Sequence, residues 1–146
     1  MNALLIENDA LARLLLEKQI RAFGFAVTTC MNGATALEAV KQTFYAVIIL
    51  DLGLPDMYGL ELCRRIRALP GRERSILVAL TERHDPEYLQ AVMALGANDY
   101  LAKPVNPDLL KSRLTIIARH AQTLSRQDQI TERLRQLKRT VETFRA

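Results

Sequence analysis

Apolar and polar residues alternate along the chain in a pattern that repeats five times. Each repeat begins with a short apolar run, which is typical of a β-strand buried on both faces. A longer segment with apolar residues three or four positions apart follows, and this spacing predicts an amphipathic helix. The predicted strands lie in residues 3–8, 25–30, 46–51, 75–80 and 99–102, and the predicted helices in 10–22, 34–43, 58–69, from Asp85-Pro86 to Gly96, and from Asn106-Pro107 onward.

Strands that alternate with helices predict an α/β fold with a doubly wound parallel sheet, because right-handed crossovers place helices on both faces. The order of the five strands cannot be read from periodicity. Turn and cap residues support the element boundaries: Asp9 and Asp85 are candidate N-caps, and Gly24 and Gly96 follow the ends of helices. We therefore expect one globular α/β domain.

The stretch Val47–Gly59, with the sequence VIILDLGLPDMYG, combines the most uniformly apolar strand with a turn rich in Gly and Pro. Asp51 ends the apolar run. Ligand sites of open α/β sheets lie at the carboxyl ends of the strands, so Asp51 is a candidate reactive group. The alternative is an aspartate that only helps to form the turn. This stretch alone leaves the two interpretations equally open.

Polar residues also follow the other strands, and these favour a reactive Asp51. The first strand leads into Glu7, Asn8 and Asp9, the fourth into Thr81, and the fifth into Lys103. All these ends lie on one edge of a parallel sheet. Clustered carboxylates suit a hard cation such as Mg²⁺, and a hydroxyl with an ammonium suits phosphoryl oxygens. The set predicts an aspartyl-phosphate chemistry at Asp51.

Charge and composition narrow the class of protein. The chain has 146 residues, 49% of them hydrophobic, and a net charge of +4. Residues 1–102 carry 10 basic and 12 acidic side chains and residues 103–146 carry 10 and 4, so the basicity belongs to the C-terminal segment. No apolar run reaches the roughly 20 residues of a membrane span, and the N-terminus does not resemble a signal peptide. We expect a cytoplasmic protein in which Cys30 and Cys63 are packing residues.

Residues 3 to about 120 resemble a receiver domain of the two-component response regulator family. The resemblance rests on LDLGLPDMYGLELCRRIR at 50–67, ALT at 79–81 and GANDYLAKPV at 96–105, which occur in the order and spacing of the family. It implies a flavodoxin-like sheet of order 2-1-3-4-5 and a cis peptide bond between Lys103 and Pro104. It also implies a histidine kinase or a phosphotransfer protein as the phosphoryl donor.

The resemblance further implies roles for individual residues. Asp51 would be the phosphoacceptor, Thr81 the switch hydroxyl, Tyr100 the switch aromatic and Lys103 the phosphate-binding lysine. The signal would leave through the surface built from the fourth helix, the fifth strand and the fifth helix. The metal ligands that it implies for Mg²⁺ are Glu7, Asn8, Asp51 and the backbone carbonyl of Gly53.

Asn8 departs from the family pattern, in which an aspartate usually contacts the metal at this position. Its amide oxygen can ligate but brings no charge, so we expect weak Mg²⁺ binding. The alternative function is therefore a pseudo-receiver that acts as a phosphate-independent scaffold for dimerisation or interaction. A true enzyme of similar topology is disfavoured, because no Gly-rich loop follows the first strand and no second Asp stands two residues after Asp51. The tail is too short for a DNA-binding helix-turn-helix, so no direct contact with nucleic acid is expected.

The segment after Pro107 contains no further Gly or Pro and predicts a long helix. One apolar stripe runs through Leu110, Leu114, Ile117, Ala121 and Leu124, and a second through Ile130, Leu134, Leu137, Val141 and Phe144. We predict a receiver over residues 1–122 and a helical extension over 123–146. The second stripe favours a parallel coiled-coil homodimer leading to an output domain absent from this sequence. The alternatives are a helix that folds back onto its own domain or frays.

Overall fold

The computed structural model describes residues 1–145 and contains one five-stranded, fully parallel sheet. Its order is β2-β1-β3-β4-β5, which confirms the expected order 2-1-3-4-5. The strands are β1 (Asn2–Ile6), β2 (Ala26–Cys30), β3 (Val47–Asp51), β4 (Ile76–Thr81) and β5 (Asp99–Ala102). The central position of β3 explains its composition, since all five of its residues are buried between helices.

Five α-helices connect and cover these strands, as the pattern predicts. They are α1 (Ala10–Ala22), α2 (Gly33–Gln42), α3 (Gly59–Ala68), α4 (Pro86–Ala94) and α5 (Pro107–Arg145), and a short 3₁₀ turn (Arg72–Arg74) precedes β4. Asp9 and Asp85 are confirmed as N-caps, because their carboxylates accept from the backbone N–H groups of Ala12 and Tyr88 at 2.8 and 3.3 Å. Each cap satisfies an N–H group that the helix leaves unpaired.

The core has two layers, one on each face of the sheet. Helices α1 and α5 cover one face, where Ile20, Leu110 and Leu114 pack against alternate residues of the strands. The other face packs against α2, α3 and α4. Cys30 and Cys63 are buried free thiols, in agreement with their predicted packing role.

Helix α5 is one unbroken helix of 39 residues, and its second half leaves the domain. Ala121 is its last buried residue. Beyond it the second apolar stripe is exposed, with exposed fractions between 50% and 86% for Ile130, Leu134, Leu137, Val141 and Phe144. A helix that folds back onto its own domain would cover this stripe, so the structure does not support that alternative. The domain boundary at residue 122 and the coiled-coil homodimer stay predictions.

The described part of α5 makes one ion pair with the domain after Ala121. Arg74 Nη1, in the turn before β4, lies 2.5 Å from Asp128 Oδ2, and the Arg74 guanidinium also stacks over the Phe44 ring at 5.5 Å. Both residues precede strands, so this contact lies at the amino-terminal edge of the sheet. The extension therefore leaves the molecule at the edge opposite the strand ends that carry the polar cluster.

Candidate functional site

The sheet brings the predicted polar residues to one edge. Asp51 and Thr81 are the last residues of β3 and β4, while Glu7 and Lys103 lie directly after β1 and β5. The register aligns the strand ends, since Asp51 pairs with Leu80 and Thr81 pairs with Ala102. The carboxyl-terminal edge is therefore where the side chains meet, as expected for an open α/β sheet.

Lys103 joins the two buried carboxylates of the site. Its Nζ atom lies 3.1 Å from Glu7 Oε1 and 3.2 Å from Asp51 Oδ2. The Glu7 side chain is completely buried and that of Asp51 is 8% exposed, whereas the Lys103 side chain keeps 18% of its surface in solvent. One ammonium thus contacts two carboxylates, so the cluster has a net negative charge when both carboxyls are ionised.

This arrangement separates the pKa values of the two acids. Burial, together with a hydrogen bond to Asp51, raises the pKa of Glu7 to about 7, although Lys103 acts in the opposite direction. Burial also acts to raise the pKa of Asp51. Hydrogen bonds from Glu7 and the Gly53 amide and the charge of Lys103 outweigh it and hold that pKa below its usual value. Asp51 is therefore the ionised member of the pair at neutral pH.

The loop after Asp51 holds its carboxylate in place. The Gly53 N–H donates to Asp51 Oδ1 at 3.0 Å, and the Leu52 N–H donates to the carbonyl of Leu80 at 3.0 Å. Gly59 then packs directly on Leu52, since a Cβ added at Gly59 would come within 2.4 Å of Leu52 Cα. Only glycine fits there without movement of the loop that follows Asp51.

Thr81 is held by the segment that follows it. Its hydroxyl accepts from the Arg83 N–H at 3.0 Å and donates to the Arg83 carbonyl at 3.1 Å. The Arg83 side chain stacks over the Tyr88 ring at 4.1 Å and pairs with Asp85 at 3.1 Å. The Thr81 hydroxyl would have to exchange these backbone partners to reach a group bound at Asp51.

Three predicted site residues lie at the margin of the cluster. Asn8 is exposed next to Glu7, and Gly53 is exposed two residues after Asp51. Tyr100 is 36% exposed on the edge strand β5, where it pairs in register with Ala79. The contacts of the cluster therefore join Glu7, Asp51 and Lys103 directly, whereas Tyr100 lies outside them.

The oxygen donors of the site suit a largely hydrated hard cation. Within residues 1–145 no group of three or more His, Cys, Asp or Glu side chains is placed to hold a metal ion. The acidic donors are the two carboxylates of Glu7 and Asp51, beside the amide of Asn8 and the carbonyl of Gly53. Mg²⁺ usually binds through one or two carboxylates and keeps several waters, so this donor set fits Mg²⁺ and not an all-protein cage.

The sequence matches a known protein family. The family model that describes the response regulator receiver domain matches residues 3–115. The chain belongs to the response regulator receiver family. The resemblance inferred from the sequence motifs is thereby confirmed, and so is the flavodoxin-like fold. The cis peptide bond between Lys103 and Pro104, which the resemblance implied, is also present.

Individual relatives of this receiver domain come from several signalling systems. It is 34% identical over 116 residues to the phosphate regulon transcriptional regulatory protein PhoB of Rhizobium meliloti, and this match covers 80% of the chain but 51% of PhoB. The receiver domain of sensor histidine kinase PA1611 from Pseudomonas aeruginosa, solved with a magnesium ion in its active-site cleft, is 29% identical with a TM-score of 0.73. That match covers 83% of this chain and 97% of the other.

A third relative was solved together with a phosphotransfer partner. The receiver domain of Ssk1 from Saccharomyces cerevisiae, in complex with the histidine phosphotransfer protein Ypd1, is 27% identical with a TM-score of 0.73. The match covers 79% of this receiver domain and 86% of the Ssk1 chain. Receiver domains with this fold thus include one seen bound to a phosphotransfer protein.

Sequence reasoning missed two residues that shape the site of this receiver domain. Arg13 donates to the carbonyls of Glu7 and Asn8 at 3.0 and 3.2 Å and so fixes the acidic loop. A cation in the first turn of a helix opposes the helix dipole, and this was the signal available for it. Tyr88, which supports Arg83, gives no such signal, because nothing in the sequence places its ring under that guanidinium.

Among residues 1–145, no helix combines the length and apolar character that crossing a membrane requires.

Proposed function

We propose that this receiver domain accepts a phosphoryl group on Asp51 from a histidine kinase or a histidine phosphotransfer protein. The observation that carries the proposal is the 3.2 Å contact between Lys103 Nζ and the buried Asp51 carboxylate, at the edge where Thr81 also ends its strand. A structural ion pair alone would not require a hydroxyl and an exposed glycine beside it. The lowered pKa of Asp51 supports a carboxylate that is anionic and nucleophilic at neutral pH.

The transfer is a displacement at phosphorus. An Asp51 oxygen forms a new O–P bond while the N–P bond of the donor phosphohistidine breaks, and the released imidazole takes up a proton. Lys103 neutralises charge on the phosphoryl oxygens as they approach, since its ammonium already lies beside Asp51. The Gly53 N–H continues to hold the acceptor carboxylate in position.

Mg²⁺ would be held by Glu7, Asp51, the Asn8 amide and the Gly53 carbonyl, and when bound it supplies further positive charge to the phosphoryl oxygens. Asn8 contributes no charge to this set, so the receiver domain needs more Mg²⁺ than one with an aspartate at that position. Glu7 supports the same conclusion, because its raised pKa means that binding must displace a proton near neutral pH.

The phosphoryl group then acts as a switch through Thr81. Its new acceptor oxygens compete for the Thr81 hydroxyl, which leaves its two hydrogen bonds with Arg83. Tyr100, on the neighbouring strand, changes between exposed and inward positions as Thr81 moves. The surface built from α4, β5 and α5 carries the change, and α5 extends it beyond the domain.

Phosphorylation with a small donor tests the acceptor. The full chain is incubated with acetyl phosphate at increasing Mg²⁺ concentrations, and intact mass spectrometry follows the addition of one phosphoryl group. We expect modification of the wild type and of Asp108→Asn, which removes an exposed carboxylate, but none of Asp51→Asn. Replacement Asn8→Asp should lower the Mg²⁺ concentration needed for half-maximal modification.

Absence of modification of the wild type at saturating Mg²⁺ would reject the proposal and favour the pseudo-receiver. Such a result is interpretable only if Asn8→Asp is modified under the same conditions. In that case the missing charge at Asn8 is the reason that the site is inactive. Modification that persists in Asp51→Asn would reject Asp51 as the acceptor.

A further inference from the structure

The exposed part of α5 carries a narrow apolar stripe. Its apolar residues are Ile130, Leu134, Leu137, Val141 and Phe144, and they follow the alternating spacing of four and three residues that defines positions d and a of a heptad. Only two of the seven residues in each heptad, those at positions a and d, belong to this stripe. Such a narrow stripe is typical of a helix that packs against one other helix.

This stripe faces away from the receiver core. Successive residues of an ideal helix are rotated by 100° about its axis, so the second stripe points roughly 180° away from the first. The first stripe packs into the core through Leu110, Leu114 and Ile117. The phase break in residues 125–129 produces this change of face. The core that anchors α5 therefore cannot cover the second stripe, and another helix must approach from the outer side.

The flanks of the stripe are uniformly basic or neutral. Positions e and g, which border the apolar stripe, hold Arg126, Thr131, Arg133, Lys138, Thr140 and Arg145, all of them exposed. The acidic residues of the segment lie elsewhere on the helix. Asp128 pairs with Arg74 of the domain, and Glu132 lies 3.8 Å from Arg135 on the outer face.

These flanks make a second copy of the same helix a poor partner. In a parallel pair, Arg133 would face Lys138 of the other copy, and symmetry would produce this like-charge contact twice. An antiparallel pair would again bring only Arg, Lys and Thr together along the flanks. Neither orientation supplies an opposite charge, whereas an acidic helix supplies one at every basic flank position.

We propose that residues 126–145 form a two-stranded coiled coil with a helix of a different protein, whose apolar stripe is flanked by Glu and Asp. The inference does not rest on phosphorylation of Asp51. It concerns a surface at the opposite edge of the molecule, and it replaces the homodimer expected from the heptad spacing alone. An anionic membrane surface is the competing occupant, but a membrane-bound helix needs a wider apolar face than this stripe provides.

Synthetic heptad peptides test the proposal on the full chain. One peptide has Ile and Leu at positions a and d and Glu at e and g, and a second peptide replaces the Glu residues by Lys. Fluorescence anisotropy of the labelled peptides should show roughly tenfold tighter binding of the acidic peptide, since four exposed ion pairs of ordinary strength supply about this factor. The preference should shrink as salt is added.

Three variants assign the binding to the stripe and its flanks. The double variant Arg133→Glu with Lys138→Glu should lose the preference for the acidic peptide. Its control, Arg135→Glu with Arg139→Glu, changes the net charge equally on the outer face and should keep the preference. Leu137→Asp should lose binding of both peptides, while the unchanged melting temperature of the receiver domain shows that the core remains folded.

Three results would overturn the proposal. The first is equal binding of the two peptides, or binding of neither. The second is a wild-type dimer in sedimentation equilibrium that becomes a monomer in Leu137→Asp, because this would make a second copy the occupant. The third is Leu137-dependent binding to phosphatidylglycerol vesicles without any preference between the peptides.

Discussion

Removal of the Lys103 ammonium should destabilise the receiver domain in a manner that depends strongly on pH. Lys103→Met keeps the length of the side chain but leaves Glu7 and Asp51 without their shared cation. Each contact of 3.1 to 3.2 Å represents about 5 kcal/mol of attraction at an effective dielectric constant near 20, before desolvation is subtracted. Loss of one partner from a buried ion pair typically costs about 3–5 kcal/mol in free energy of unfolding. We expect about 3 kcal/mol at pH 8, because the Lys103 side chain is partly exposed.

The loss should be much smaller at pH 5. The folded-state pKa of Glu7, about 7, lies above its unfolded value, so its contribution to stability is complete below the unfolded value and is lost as pH rises through 7. At pH 5 the two carboxyls share a proton and need the ammonium less. At pH 8 both carboxyls are ionised, and only the wild type has the Lys103 ammonium to neutralise them, so the difference in stability between the wild type and Lys103→Met is largest there.

Thermal and urea unfolding without Mg²⁺ at the two pH values measure this difference. At about 3 °C per kcal/mol for a chain of this size, Lys103→Met should lower Tm by about 9 °C at pH 8. Lys111→Met, which removes an exposed lysine on α5, serves as the control and should change Tm little at either pH. An equal loss of stability at pH 5 and pH 8 would refute the assignment of Lys103 to the two carboxylates, and so would no loss at all.

Three further predictions follow from the site. Glu7→Gln should flatten the fall in stability between pH 5 and pH 8 in urea titrations, because the group with the raised pKa is gone; an unchanged slope would contradict the pKa assignment. Gly59→Ala should lower the free energy of unfolding by about 1–3 kcal/mol, because the new Cβ overpacks against Leu52. The control Gly53→Ala should lower it less, since its Cβ would meet Asp51 Oδ1 at an ordinary 3.6 Å. Equal losses in urea unfolding would argue against the packing explanation. Asn8→Asp should increase the rise in Tm on addition of Mg²⁺, and no increase would mean that this position does not ligate.

The fold could be predicted from the sequence because its signals are local. Val47–Leu50 form a wholly apolar run, and the caps at Asp9 and Asp85 stand next to the helices that they begin. The strand order came from the family resemblance alone, because periodicity does not record which strands are neighbours. The pattern predicts a first strand that continues to residue 8, but the strand ends at Ile6, since the polar residues after it belong to the loop of the site.

The sequence predicts which strand ends meet at the candidate site, but not the contacts between their side chains. Strand ends placed Asp51, Thr81 and Lys103 on one edge, which requires only that the sheet be parallel. The contact of one ammonium with both Glu7 and Asp51 depends on side-chain positions that no spacing encodes. The same holds for the bonds between Thr81 and Arg83, because they arise from the path of the loop after β4.

Because α5 is one unbroken helix, it moves as a rigid rod. Its first residue stands four positions after Lys103, and the helix runs for 39 residues, which corresponds to about 58 Å. Residues 107–128 keep contact with the domain, the last of them through the ion pair between Asp128 and Arg74, and residues 129–145 project about 26 Å beyond it. A tilt of about 5° at the base of this projection would therefore move the tip near Phe144 by about 2 Å. Small changes beside Lys103 would thus reach a partner of the extension as displacements larger than those at their origin.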